Sequence, residues 1–209
     1  MSLFVTFEGI EGCGKSTHLR LVAEHLRAAG RRVVETREPG GTPAGVAIRR
    51  LLLGPDAVPL TALAELLLYC ADRQQHIVHL IRPALEAGSI VLCDRFSDST
   101  IAYQGFGRGL ALETVRALDA LAREGLVPAL TILLDCPVAE GLRRAQARAG
   151  ASDRFERETV EFHERIRRGF HTLATAEPDR FRVIDSTAPV GEVAGRIRDE
   201  IERRLQRRP

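Results

Sequence analysis

The 209-residue chain has one lysine among its 30 basic residues, no tryptophan, one methionine and two tyrosines. Each scarcity excludes something. Guanine-specific switch proteins read their base with an Asn-Lys-x-Asp segment, and no second lysine exists with which to build one. Cys13, Cys70, Cys93 and Cys136 stand far apart, forming neither a C-x-x-C pair nor a Cys/His set with zinc spacing, so they read as free buried thiols. No run of eighteen apolar residues is present, which predicts no membrane partner. A formal charge of +2 argues against a broad nucleic-acid-binding surface. The amino terminus enters an apolar run with no basic region ahead of a leader-like core, which predicts a cytoplasmic protein.

What is present is globular in character: 44% hydrophobic and 28% charged residues, in a length that predicts one domain over 1–209. Five short apolar runs, "LFVTFEG", "RRVVETRE", "SIVLCDR", "LTILLDC" and "FRVIDS", alternate with longer helical stretches. That alternation predicts an α/β fold, a five-stranded parallel sheet with helices on both faces. Pro83 is expected to kink or restart its helix, and Gly88 to end it. Ile197, Ile201 and Leu205 recur every four residues, so the basic tail "RRLQRRP" reads as the solvated face of a closing amphipathic helix.

The single lysine stands in "GIEGCGKST", residues 9–17. Gly9, Gly14, Lys15 and Ser16 fit the phosphate-binding loop pattern G-x-x-x-x-G-K-[ST], with a buried strand before it and helical spacing at Leu19, Val22, Leu26 and Ala29 after it. Glycines let backbone N–H groups wrap a polyphosphate. A compact ammonium sits between phosphate oxygens as a point charge, where a forked guanidinium is too broad. Gly9, Ile10, Glu11, Gly12, Cys13, Gly14, Lys15, Ser16 and Thr17 are therefore the expected ATP-binding residues. Ser16 offers a hydroxyl to Mg²⁺, and Asp94, after "SIVLC", is the matching carboxylate for the metal.

In open parallel sheets ligands gather beyond the carboxyl ends of the strands. The loops there carry Arg37, Arg95, Arg144, Arg148 and Arg154, a set suited to a pair of polyanions. Lys15, Arg95, Arg144, Arg148 and Arg154 are the expected catalytic cations. Helicase and motor domains usually need further motifs and more chain, so a compact kinase fits best. A non-catalytic ATP-dependent switch is the alternative from another class, and a different nucleoside monophosphate kinase the nearer one.

The motifs "FEGIEGCGKST", "TREPGGT", "ELLLYCADRQQH", "CDRFSDSTIAYQGFGRG" and "DRFE", in this order over nearly the whole chain, resemble the bacterial thymidylate kinase family, of P-loop nucleoside monophosphate kinase type. The resemblance implies transfer of the γ-phosphoryl group of ATP to dTMP, a homodimer, and a small arginine-containing lid at about 143–154. It implies that Glu11, Arg37, Pro39, Arg49 and Arg95 help to hold the monophosphate. By the same resemblance Tyr69 stacks on thymine, Arg73 meets a base oxygen, Thr100 and Gln104 belong to the polar segment around the base, and Tyr103 lies where a 2′-hydroxyl would crowd it. Periodicity alone reads Tyr69 as a core aromatic. The family often has phenylalanine at that position, and Gln146 stands between Arg144 and Arg148 where relatives often carry denser arginine.

Overall fold

A computed structural model describes residues 2–54, 58–147, 155 and 158–206. Among them the five apolar runs form one parallel sheet: β1 (Leu3–Glu8), β2 (Val33–Arg37), β3 (Ile90–Asp94), β4 (Leu130–Asp135) and β5 (Phe181–Asp185). Their spatial order is β2-β3-β1-β4-β5. All six residues of β1 are buried, and all but the last of β3 and β4, whereas the edge strands β2 and β5 are partly exposed. Unbroken apolar runs are what a sheet covered on both faces requires of its central strands.

The helices α1 (Lys15–Ala28), α2 (Pro43–Leu53), α3 (Ala62–His76), α4 (Arg82–Glu86), α5 (Ser97–Thr100), α6 (Leu112–Arg123), α7 (Val138–Gln146), α8 (Val160–Ala176) and α9 (Val190–Gln206) supply those covers. Thr42, Thr61 and Thr159 cap α2, α3 and α8, each side-chain oxygen accepting the N–H three residues on. On α9, Ile197, Ile201 and Leu205 are buried as their spacing predicts. No helix among the described residues is long and apolar enough to cross a membrane.

Pro83 restarts its helix and does not break it. The chain leaves α3 through a π-helical segment, Ile77–Ile81, and enters α4 with Ile77, Ile81 and Arg82 all in right-handed helical conformation. Pro83 falls in the first turn of α4, directly after the π-helical segment. A second π-helical segment, Ile101–Gly107, follows α5 directly and carries Tyr103 and Gln104.

This topology fixes where a ligand can lie. β1 pairs with β3 on one side and β4 on the other, so the chain reverses its direction of travel across the sheet at β1. The register sets Phe7 and Arg37 beside Asp94, which brings the ends of β1, β2 and β3 together at one crevice.

Candidate active site

The loop after β1 is shaped by glycines that nothing else could replace. Gly12 has φ 70°, and a Cβ there would stand 1.9 Å from the Gly141 carbonyl oxygen on α7; one at Gly9, φ 135°, would stand 2.3 Å from that of Leu134. α1 then begins with no side-chain cap and no acid in its first turn, so the positive end of its dipole is left for an anion. Lys15 is buried within the loop and donates to the carbonyls of Gly9 at 3.1 Å and Ile10 at 2.7 Å. Cys13 is buried beneath it, its Sγ 3.4 Å from Nζ; the four cysteines are free and buried.

At the end of β3, the Ser16 hydroxyl donates to Asp94 Oδ2 at 2.5 Å, a pair of hard oxygens at the mouth of the loop. Arg95 follows with φ 69°, left-handed backbone that a non-glycine residue seldom adopts. Its guanidinium donates to the Gly9 carbonyl (2.9 Å), to Ser99 Oγ (3.1 Å) and to Glu11 Oε1 (3.0 Å), and it lies 4.8 Å over the Tyr103 ring. Burial opposes its charge, but Tyr103, Glu11, Asp94 and Glu8 outweigh burial and raise its pKa well above the usual arginine range. The cation is permanent.

Glu11 is the hub of this corner. It accepts the Tyr103 hydroxyl at 2.5 Å, and His163 Nδ1 of α8 stands 3.2 Å from its other oxygen, out of line for a hydrogen bond. Burial pushes the Glu11 carboxyl up, yet His163, Arg95, Lys15 and Tyr103 together hold it at about 2.

Beyond Arg95 lies a pocket built around Arg73. This side chain is 1% exposed and its guanidinium is shared among Glu38 (3.0 Å), Asp119 (2.7 Å) and Thr100 (2.8 Å). His76 supports Glu38 from behind at 3.0 Å. Asp72 accepts the Gly40 N–H at 3.0 Å, fixing the "PGG" turn; burial first, then the charge of Glu38, raises its carboxyl to about 6. Arg49 donates to the Pro39 carbonyl at 2.9 Å, and Gln104 donates to Glu65 at 2.7 Å.

These features line one cavity of about 610 Å³. Of the residues expected from the sequence, Glu11, Gly12, Cys13, Gly14, Lys15, Ser16, Thr17, Arg37, Pro39, Arg49, Tyr69, Arg73, Asp94, Arg95, Thr100, Tyr103, Gln104 and Arg144 line it. Gly9 and Ile10 do not; their carbonyls anchor Lys15 and Arg95 from beneath. Tyr69 packs on the core and also lines the cavity. Arg148 and Arg154 lie outside the described residues, as does the rest of the expected lid after Ala147. Its first part, Arg143 to Gln146, is the end of α7, where Glu140 binds both Arg143 (2.8 Å) and Arg144 (2.6 Å). A second bond, to the Ser186 carbonyl at 2.9 Å, ties Arg144 to the loop after β5.

The sequence reading missed Glu8, Glu38, Ser99, Asp119 and His163, all buried and all within the networks that hold the cavity walls. Glu8, Glu38 and Ser99 stood inside the quoted motifs with no role given to them, whereas Asp119 and His163 stood outside every quoted motif.

A family model described as thymidylate kinase matches residues 7–197. The thymidylate kinase of Citrifermentans bemidjiense is 51% identical over 211 residues, covering 99% of this chain and 94% of that protein. That of Geobacter sulfurreducens is 51% identical and covers both chains completely. A crystal structure of thymidylate kinase from Ehrlichia chaffeensis superposes with a TM-score of 0.79 at 36% identity, covering 96% of this chain and 98% of the other. A glycine cradle facing an arginine-lined pocket, on a sheet of this order and with relatives this close over the full length, makes the chain a member of the thymidylate kinase family.

Proposed function

We propose that the cavity carries out the thymidylate kinase reaction, ATP and dTMP giving ADP and dTDP, with the triphosphate on residues 9–17 and dTMP between Arg95 and Tyr69. The single observation that carries this reading is continuity: one cavity reaches from Lys15 and Ser16 to Tyr69, Arg73 and Gln104. Two anionic nucleotides would meet at Arg95.

The acceptor needs no general base, because a phosphate monoester has its second pKa near about 6 and is already anionic at neutral pH. The protein's task is to align the phosphates and to cancel charge. Lys15 would leave the loop carbonyls for the β and γ oxygens, and the dipole of α1 would act along the same line. Arg95 would grip the acceptor phosphate and Arg37, with no ion pair among the described residues, would add a second charge. Arg144 would approach from the α7 side. Thymine would stack on Tyr69, with Arg73 donating toward a base carbonyl from a guanidinium that Glu38 and Asp119 hold rigid. Tyr103, fixed by Glu11 and ringed by Phe155, Phe162 and Phe170, leaves little room for a 2′-hydroxyl.

Ser16 Oγ and Asp94 Oδ2 suit Mg²⁺, which takes one or two protein oxygens and completes its shell with water and substrate phosphates. No cluster of three or more His, Cys, Asp or Glu among the described residues offers a denser metal site. Bound there, the ion would neutralise charge on the β and γ oxygens. We also read the chain as one kinase unit. The exposed Leu63 and Leu67 on α3, and Val46 and Leu51 on the α2 helix that packs against it, support a homodimer.

The test is an acceptor panel of dTMP, dUMP, UMP, AMP and CMP with ATP and Mg²⁺. Preference for dTMP is expected; preference for AMP or CMP would overturn the thymidylate reading and leave the kinase class standing.

A further inference from the structure

Glu8 is fully buried at the last position of β1 and does not line the cavity. It faces the turn between β3 and α5. Its Oε1 accepts the Phe96 N–H at 2.8 Å and its Oε2 accepts the Ser99 hydroxyl at 2.5 Å. The same Ser99 oxygen accepts from Arg95 Nη1 at 3.1 Å. One hydroxyl therefore bridges a buried carboxyl group and the guanidinium beside the loop carbonyls.

The backbone needs this support. Arg95 is left-handed at φ 69°, and Phe96 beside it lies at φ −156°, ψ −144°. Extended conformations compete with such a turn unless the surroundings over-determine it. The Arg95 N–H is tied to the Phe7 carbonyl at 3.0 Å, and Glu8 ties the next N–H. The two anchors sit on consecutive residues of β1 and hold consecutive residues of the turn.

Glu8 makes no ion pair among the described residues, whereas its acidic neighbour Asp98 is bound by Arg180 at 2.6 Å. Burial, and after it Asp98, pushes the Glu8 carboxyl up to about 8 against the opposing pull of Ser99, Arg95 and the Phe96 N–H. Burial without a salt bridge thus favours the neutral acid, which can hold the turn without the cost of an unpaired buried charge. What the carboxyl adds is a pair of oxygens that span the Phe96 N–H and the Ser99 hydroxyl at once, so the hydroxyl oxygen that meets Arg95 is held in place by the same group that holds the turn.

We propose that Glu8 is a positioning residue for phosphoryl transfer: it clamps the turn at Phe96 and, through Ser99, aims the Arg95 guanidinium at the phosphate end of the cavity. The proposal rests on the reading of Arg95 as the residue that grips the acceptor phosphate.

Steady-state kinetics and melting of Glu8→Gln, Ser99→Ala, the double variant and Arg95→Ala test it. Glu8→Gln is expected to lower kcat about 10- to 100-fold, the worth of one hydrogen bond to a charged group, with KM for ATP held within about threefold. Ser99→Ala should reproduce that loss, and the double variant should be no worse than the poorer single one, because both break the same relay. If Arg95→Ala keeps its kcat, the site reading itself fails. If Arg95→Ala loses kcat while Glu8→Gln lowers only the melting temperature, the positioning role is overturned, as it is by multiplicative losses in the double variant. Should Glu8→Gln not fold, Ser99→Ala decides alone: lost kcat supports the relay and unchanged kcat overturns it.

Discussion

Replacing Arg73 by methionine isolates the network that holds the inner end of the cavity. The guanidinium is fully buried between Glu38 and Asp119, whose side chains are 2% and 1% exposed. Removing one partner of a buried ion pair generally costs about 3–5 kcal/mol, because the other is left as an unpaired charge. Here the acids keep some support. Glu38 retains His76 at 3.0 Å, and Asp119 retains Ser97 at 2.5 Å and Arg123 at 2.7 Å. The loss should therefore fall at the lower end, about 3 kcal/mol, or roughly 6–12 °C in melting temperature for a chain of this size. Urea unfolding followed by circular dichroism measures it. Adding Glu38→Gln to Arg73→Met removes the surplus charge and should recover part of the stability. A loss under about 1 kcal/mol, or a double variant less stable than Arg73→Met, would refute the reasoning.

Lys15→Ala should lower kcat at least about 10³-fold while shifting the melting temperature little, since among the described residues the ammonium bonds only to its own loop; near-normal turnover would contradict the phosphate-loop role. Lys15→Arg should fail as well, because the forked head is too broad for the tight loop and cannot sit between the phosphate oxygens as a point charge. Asp72 has its pKa raised from the ordinary 3.8 to about 6, by burial first, so its contribution to stability is fully present below the lower value and lost as pH rises through the upper one. Asp72→Asn lacks that loss and should gain on the wild type by on the order of 1–3 kcal/mol between about pH 4 and pH 7 in urea titrations; parallel pH curves would contradict the assignment.

The parts of the molecule that were legible in the sequence are those specified locally. The three central strands announced themselves because such strands must be apolar along their length, and α9 because its buried face recurs every four residues. The phosphate loop was legible because its pattern is local, and Gly9 and Gly14 in it sit at φ 135° and 91°, backbone that favours glycine. Arg73 shows where such reading stops. Its ligand-facing role came from resemblance, while the ion network that fixes it joins Glu38, 35 residues away, to Asp119, 46 residues away, and no local pattern encodes such a meeting. His163 is similar: an apolar helix face predicts its burial but not its position beside Glu11, which only the packing of α8 on the π-helical segment provides. The restart at Pro83 was half legible, since proline marked the place and the π-helical segment before it did not show.

The central claim is that Lys15 and Arg95 bring two nucleotides together end to end. A crystal structure with dTMP and a non-hydrolysable ATP analogue tests it most directly. The account predicts the γ-phosphorus within about 3.5 Å of a dTMP phosphate oxygen, Lys15 on the triphosphate and Arg95 on the acceptor. Terminal phosphates lying remote from each other, or a dTMP phosphate without Arg95, would contradict it.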